Sequence, residues 1–153
     1  MPRLTKEKLL RYWLLEVMGT SGQVQWVEPA FGSTVGLPDA LVKISNVRIP
    51  VELKFWDQTS RERRIKAKMR PAQIRYHVMA ARNGEQTAIL YTLKKLGDVE
   101  ADFDVFLLCG KYCPLNDRDL ATTKAVHIGT KHGNKIIERK LFINTMLSSS
   151  FWM

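Results

Sequence analysis

The segment GLPDALVKISNVRIPVELK, residues 36–54, contains two apolar runs separated by a short polar break. The runs are residues 40–44 and 47–55, and the break is the pair Ser45 and Asn46. Asn tolerates left-handed backbone angles, so this pair suits the tip of a tight turn. The segment therefore predicts a β-hairpin with a two-residue loop.

A two-residue loop determines which residues of the two strands face each other. If Ile44 pairs with Val47, antiparallel pairing makes Asp39 face Glu52, and directly opposed residues lie about 5 Å apart. Side chains alternate along a strand, so Glu52 and Lys54 project from the same face. The hairpin is therefore expected to bring two carboxylates and one ammonium group together.

Two carboxylates at this distance repel each other unless a cation lies between them. Carboxylate oxygens are ligands that Mg²⁺ and Mn²⁺ prefer, and the carbonyl of Leu53 would complete such a site. A metal-bound water can then become a nucleophile. The alternative is a solvated strand pair in which Asp39, Glu52 and Lys54 have no catalytic role. A bulge at Pro50, which removes one ladder bond, would also shift the register.

The composition favours one domain, residues 1–153, that attracts polyanions. The 24 Lys and Arg outnumber the 15 Asp and Glu and give a net charge of +9. Affinity for a polyanion should therefore fall with salt. No segment has the roughly 20 apolar residues of a membrane-spanning helix, and no signal peptide opens the chain. We expect a soluble cytoplasmic protein with reduced cysteines and no membrane partner.

Upstream of the hairpin, apolar residues recur at helical spacing between Thr5, a candidate N-cap, and Gly19. On a helical wheel Glu7 lies nearer the centre of the apolar stripe than Glu16 does. Glu7 is therefore the acid expected to face inward toward a site. The alternative is a first-turn glutamate that the helix dipole stabilises by about 0.5 kcal/mol.

Downstream, residues 61–70 contain six cations, Arg61, Arg63, Arg64, Lys66, Lys68 and Arg70. Such a run repels itself unless phosphates neutralise it, and phosphate contacts position a nucleic-acid backbone rather than read bases. A solvated loop is the alternative. The position directly after the second strand of the hairpin favours contact with a nucleic acid.

Pro71 suits the first turn of a second helix, which Asn83 and Gly84 end. Its predicted buried face contains Ile74, Val78 and Ala81. Gln73 lies at the edge of that face. His77 falls within the apolar stripe, which is more typical of a core histidine than of a catalytic base.

Residues 23–27, 87–94 and 103–109 have the apolar patterns of further strands. With the hairpin they predict a mixed sheet of about five strands flanked by helices, an α/β architecture. Residues 125–128 and 135–143 flank a turn-forming sequence and indicate a second hairpin.

A rival pattern near the C-terminus resembles the ligand spacing of a zinc finger. Its four residues are Cys109, Cys113, His127 and His132. A zinc finger needs its histidines on a helix. Here Gly129 lies between the two histidines and β-branched residues surround them, a pattern that disfavours a helix. We therefore expect strands at these positions rather than a zinc site.

The motifs of the hairpin resemble the signature of a known enzyme superfamily. The sequence LPD at 37–39 followed by VELK at 51–54 is similar to that of the PD-(D/E)XK nucleases. Glu7, residues 31–35 and Gln73 resemble the additional motifs of the Holliday-junction-resolvase and VRR-NUC branches. The resemblance covers residues 5–85 and implies a restriction-endonuclease-like fold.

The resemblance also implies roles for the residues of the site. Asp39, Glu52 and the Leu53 carbonyl would bind Mg²⁺ or Mn²⁺, and Lys54 would orient or deprotonate the attacking water. Glu7 would join the metal site.

Two further residues have roles implied by the resemblance alone. Gln73 would support Lys54 or the attacking water, unless it is simply a polar residue on the helix flank. Ser33 would contact a DNA phosphate or the site itself, and the alternative is an ordinary turn serine.

The function implied is that of a Mg²⁺-dependent deoxyribonuclease that hydrolyses phosphodiester bonds, with Holliday junctions and other branched DNA as candidate substrates. Resolvase-like members act as homodimers. One alternative is a catalytically inactive nucleic-acid-binding accessory protein on the same fold, and another is a regulator whose basic face binds an acidic protein. The setting, whether phage replication within a host cell, repair or host defence, stays open.

Overall fold

A computed structural model of the protein describes residues 6–27, 36–57, 69–94, 103–113, 125–132, 135–137 and 139–153. Within these ranges the strands are β1 Gly22–Trp26, β2 Ala40–Ile44, β3 Val47–Asp57, β4 Ala88–Lys94, β5 Phe103–Cys109, β6 Val126–His132 and β7 Lys135–Ile137. The helices are α1 Lys6–Met18, α2 Pro71–Arg82, α3 Arg139–Met146 and α4 Ser149–Trp152, with a 3₁₀ turn at Gly110–Tyr112. None of these described helices is long and apolar enough to cross a membrane.

The seven described strands form one sheet whose spatial order follows the order of the chain. The β3 and β4 strands are parallel, and every other neighbouring pair is antiparallel. Parallel neighbours need a crossover connection, and α2 lies within it. The predicted α/β architecture with a mixed sheet is confirmed. The sheet exceeds the expected five strands because the C-terminal hairpin, β6 and β7, joins it beside β5.

The hairpin of β2 and β3 has the predicted register. Ile44 pairs with Val47, and the pairing continues without a shift past Pro50. The turn differs from expectation in one respect, because Ser45 rather than Asn46 has a positive φ, of 54°. A positive φ at the first loop position is the geometry of type II′ turns, whose twist matches that of the flanking strands.

Two apolar clusters cover the two faces of the sheet. On one side, face A, α1 and α3 pack against the sheet through residues that include Leu10, Trp13, Leu14, Val51, Leu53 and Phe142. On the other side, face B, α2 packs against β4 and β5 through residues that include Ile74, Val78, Ile89, Tyr91 and Leu108. Because side chains alternate along β3, Glu52 and Lys54 lie on face B.

Two expectations about helices need correction. The strand predicted over residues 135–143 ends at Ile137, and α3 begins at Arg139. Phe142 and Met146 are both buried four residues apart, which is helical spacing, and short apolar runs do not by themselves separate helix from strand. In α2, Ala81 is exposed although it was predicted to be buried, whereas Ala80 and His77 are buried and Ile74 and Val78 are partly buried.

His77 is buried in α2, as its position in the apolar stripe suggested. Its Nδ1 lies 2.7 Å from Oγ1 of Thr87, and its Nε2 has no hydrogen-bond partner among the described residues. Burial lowers the pKa of His77 to about 4. The imidazole therefore stays neutral in the folded protein at physiological pH.

We expect acid to destabilise the protein through His77. The unfolded histidine has the ordinary pKa of 6.5, whereas the folded one has a pKa of about 4. Between these pH values only the unfolded chain takes up the proton. Protonation of His77 therefore reduces the free energy of unfolding by up to about 3 kcal/mol as the pH is lowered. His77→Gln does not titrate, so in denaturant unfolding at pH 7 and pH 4 the stability difference between variant and wild type should shift toward the variant by up to about 3 kcal/mol at the lower pH. A difference that does not change with pH would contradict this expectation.

Candidate active site

The first carboxylate lies where the chain enters the hairpin. Oδ2 of Asp39 accepts a 2.8 Å hydrogen bond from the backbone N–H of Leu53. The Asp39 carbonyl accepts a second bond, of 2.9 Å, from the N–H of Val27 just after β1. These bonds hold Asp39 at the position opposite Glu52 that continues the β2–β3 register.

The second carboxylate is almost completely enclosed, since Glu52 is 1% exposed. Its Oε1 accepts a 2.6 Å hydrogen bond from Nε2 of Gln73 and lies 3.5 Å from Nζ of Lys54. Its Oε2 is buried and receives no hydrogen bond from a donor among the described residues. Oε1 of Glu52 thus has a hydrogen-bond donor and a nearby ammonium group, whereas Oε2 has no hydrogen-bond donor within the described ranges.

Burial raises the pKa of Glu52 to about 8, the negative charge of Asp39 contributes to the rise, and Lys54 opposes it. The metal-free carboxyl is therefore mostly protonated at neutral pH. Metal ligands must be deprotonated, so a cation bound here would release this proton and take its place.

The donor set fits a hard divalent cation such as Mg²⁺ or Mn²⁺. The unpartnered oxygen of Glu52 and the neighbouring carboxylate of Asp39 are the oxygen ligands that such ions prefer. No group of three or more His, Cys, Asp or Glu side chains within the described ranges is placed to hold a metal. A cation at this pair would therefore need additional ligands, such as the Leu53 carbonyl, water or Glu7.

Gln73 connects the hairpin to α2. Its Oε1 accepts hydrogen bonds from the backbone N–H of Arg70, at 2.9 Å, and from Nζ of Lys54, at 3.0 Å. Two donors on one side of the amide determine its orientation, so Nε2 must face Glu52. The structure thus brings Gln73 together with Lys54 and Glu52, and Gln73 contacts both.

Gly36, which the site motifs do not include, packs against Ala72, the residue before Gln73. Gly36 has a φ of +91°, and a Cβ at this position would lie 2.6 Å from the backbone oxygen of Ala72. The chain entering the hairpin therefore packs directly on the first turn of α2. Its sequence signal is a glycine three residues before Asp39, at a point where the backbone must turn.

The other predicted site residues lie wholly or partly outside the described part of the chain. Glu7 is in the first turn of α1, but its side chain falls outside that part, as do Ser33 and the cations Arg61, Arg63, Arg64, Lys66 and Lys68. Arg70 is described, and it is exposed. The roles proposed for these residues, and for the Leu53 carbonyl, stay predictions.

Of the four residues with zinc-finger spacing, Cys109 ends β5, the two histidines lie on β6, and Cys113 follows the 3₁₀ turn. Cys109 and Cys113 are buried free thiols, and burial raises the pKa of both. Nε2 of His127 lies 3.3 Å from Oδ1 of Asp104. Asp104 and Cys109 are five residues apart on β5 and project from opposite faces, so His127 lies on the face opposite Cys109. The side chain of His132 lies outside the described part.

The chain matches no protein-family model, and no curated protein is detectably similar to it. Among solved structures it resembles Hjc, a Holliday junction resolvase from the archaeal hyperthermophile Archaeoglobus fulgidus. The TM-score is 0.51 at 14% sequence identity, and the match covers 79% of this chain and 94% of that chain. At this identity the likeness establishes the architecture, and the chain therefore has a resolvase-like, restriction-endonuclease-like α/β fold.

Proposed function

We propose that this protein is a metal-dependent DNA endonuclease of the PD-(D/E)XK type that acts on branched DNA. The observation that carries the proposal is that Glu52 and Lys54 both contact Gln73, with the Asp39 carboxylate beside Glu52, at the start of the β2–β3 hairpin. Asp39, Glu52 and Lys54 are the residues of the LPD and VELK motifs. The resolvase-like fold supports the proposal, and one solved structure that the chain resembles is a Holliday junction resolvase.

Asp39 and Glu52 would hold Mg²⁺ or Mn²⁺, with the Leu53 carbonyl and Glu7 as further ligands. The unpartnered Oε2 of Glu52 supports this assignment, because a buried carboxylate oxygen without a donor is costly unless a cation or proton satisfies it. When bound, the ion supplies positive charge beside the scissile phosphate and lowers the pKa of a coordinated water.

Lys54 would orient or deprotonate the attacking water and stabilise negative charge that develops on the phosphoryl oxygens. Gln73 holds the Lys54 ammonium at 3.0 Å and the Glu52 carboxyl at 2.6 Å through opposite ends of one amide. Gln73 therefore acts as a positioning residue that keeps a metal ligand and the catalytic amine in one geometry.

The net charge of +9 would attract the phosphate backbone of DNA. Ser33, and the cations between Arg61 and Arg70 that follow β3, would contact phosphates near the cleaved bond. A homodimer, which the resemblance to resolvases implies, would present two such sites to the two strands of a junction.

Asp39→Asn is expected to reduce Mg²⁺-dependent cleavage of a four-way junction at least about 1,000-fold, because it removes one of the two carboxylates that hold the ion. Affinity for the junction in EDTA should change less than about threefold, since phosphate contacts supply most of the attraction. Cleavage gels and fluorescence anisotropy measure the two quantities. Asp104→Asn on β5 serves as the control that should leave both unchanged.

Full Mg²⁺-dependent cleavage by Asp39→Asn would refute the assignment of the site. A panel of four-way junction, flap, duplex and single strand tests the substrate class. Binding of this DNA without any cleavage in Mg²⁺ or Mn²⁺ would instead support a catalytically inactive accessory protein on the same fold.

A further inference from the structure

Two cations face each other directly across the β2–β3 hairpin. Lys43 and Arg48 form one of the paired positions of this antiparallel ladder. Like charges directly opposed on an antiparallel pair destabilise it. Within the described residues, neither side chain has a carboxylate partner in an ion pair. The fold therefore places two positive charges together, and the described part of the chain supplies no carboxylate counter-charge for them.

The cation pair lies on the same face of the sheet as the candidate active site. Val42 and Ile44 are buried in the face A cluster, so Lys43 between them projects from face B. Arg48 precedes Glu52 on β3 by four residues, and both project from face B. At about 3.3 Å per residue, the pair lies roughly 13 Å along the strand from the carboxylate.

The surface around the pair is polar and open. Gln23 of β1 pairs with Lys43, and Gln23 and Gln25 are exposed on face B. A cavity of about 370 Å³ lies beside the hairpin turn, lined by Gly22, Gln23, Lys43, Ser45, Asn46 and Arg48. This lining contains two cations and several hydrogen-bonding groups but no acid, which suits an anionic ligand with oxygen acceptors.

We propose that Lys43 and Arg48 bind backbone phosphates of the substrate DNA about 13 Å from the cleaved bond. The inference rests on the proposed function, which places a scissile phosphate at Glu52. A strand of DNA that follows face B from Glu52 along β3 reaches the cation pair. Contacts of this kind position the backbone and carry no base information. The hairpin would thus hold the metal ligands, and its cation pair would determine the direction in which the DNA crosses the active site.

The test compares two double variants that each remove two positive charges. The first is Lys43→Gln with Arg48→Gln, and the control is Arg82→Gln with Lys140→Gln, at two exposed cations on α2 and α3. Affinity for a labelled four-way junction is measured by anisotropy in EDTA between 0.05 and about 1 M salt. EDTA prevents metal-dependent cleavage, so the readout does not depend on catalysis.

Each phosphate contact on duplex DNA contributes about 0.9 to the slope of log affinity against log salt. Loss of two contacts should lower the slope by about 1.8 and weaken binding about 60-fold at about 0.1 M salt. Loss of one contact should weaken binding about 8-fold under the same conditions. The control should weaken binding less than about twofold. Arg48→Lys keeps the charge and should retain the salt slope of the wild type.

Equal weakening in the two double variants would overturn the inference, because it would indicate an effect of net charge alone. Unchanged affinity in the Lys43 and Arg48 variant would overturn it as well. Thermal unfolding confirms that the variant is folded, and relief of the repulsion should leave its stability equal or higher. The proposed function fails by a different result, namely no cleavage by the wild type in Mg²⁺ or Mn²⁺.

Discussion

Glu52→Gln is expected to stabilise the metal-free protein while it abolishes Mg²⁺-dependent cleavage. The pKa of this carboxyl rises from 4.5 to about 8 on folding, mainly through burial. Between these pH values the unfolded chain loses a proton that the folded protein retains, so the free energy of unfolding falls as pH rises. At pH 7 this cost is about 3 kcal/mol. A glutamine has no proton to lose and can still accept the hydrogen bond from Gln73.

Urea unfolding in EDTA at pH 5, 7 and 8.5 measures the stability difference between Glu52→Gln and the wild type. It should be under about 1 kcal/mol at pH 5, about 3 kcal/mol at pH 7 and about 4 to 5 kcal/mol above pH 8. Cleavage at saturating Mg²⁺ should fall at least about 1,000-fold.

Glu85→Gln is the matched control, since Glu85 is an exposed acid just after α2. It removes the same charge and should alter neither stability nor cleavage. A Glu52→Gln protein less stable than the wild type at pH 8.5 would contradict the raised pKa. It would indicate that hydrogen bonds or positive charges stabilise the ionised Glu52 carboxylate in the folded protein.

Gly36→Ala should disrupt the site without altering any of its polar groups. An added Cβ would lie 2.6 Å from the oxygen and 2.9 Å from the carbon of the Ala72 backbone, at a φ of +91°. Backbone atoms cannot rotate away as a flexible side chain can, so α2 and the hairpin must separate. We expect a loss of about 2 to 4 kcal/mol in the free energy of unfolding, which combines the cost of positive φ with overpacking.

The expected separation moves Gln73, one residue after Ala72, away from Glu52 and Lys54. A displacement of about 1 Å at positioning groups costs on the order of 100-fold in rate. Single-turnover cleavage, measured at a temperature where the variant is folded, tests this expectation. Denaturant unfolding measures the stability loss.

Gly84→Ala provides a control with the same backbone cost and no clash. Gly84 has a φ of +76°, and a Cβ there would meet nothing within 4 Å. It should lose about 1 kcal/mol and retain cleavage. Equal effects of the two substitutions on cleavage would show that the contact with α2 does not position the site.

The hairpin register illustrates what local sequence can predict. The two-residue loop and the alternation of side chains are properties of adjacent residues, so the facing of Asp39 and Glu52 follows from the positions of Ile44 and Val47. The same register also makes Lys43 face Arg48, and the opposed cations were therefore visible in the sequence. Their significance depends on the absence of a carboxylate partner in the described fold, which the register does not reveal.

The C-terminal part shows where short patterns mislead. Residues 135–143 are apolar and branched enough to suggest one strand, but α3 begins at Arg139 because Phe142 and Met146 pack against α1 and the sheet. Burial against distant residues overrides local propensity in such short runs.

The amino-acid sequence alone determined the mixed α/β class and the two acids and lysine of the hairpin, since turn chemistry and side-chain alternation act over neighbouring residues. Only the tertiary structure decided how these groups behave. The crossover between β3 and β4 brings Gln73 back to Glu52, which is 21 residues earlier in the chain, and it encloses that carboxyl. Burial and opposing charge then raise the pKa of Glu52, because solvation depends on what surrounds a group in space.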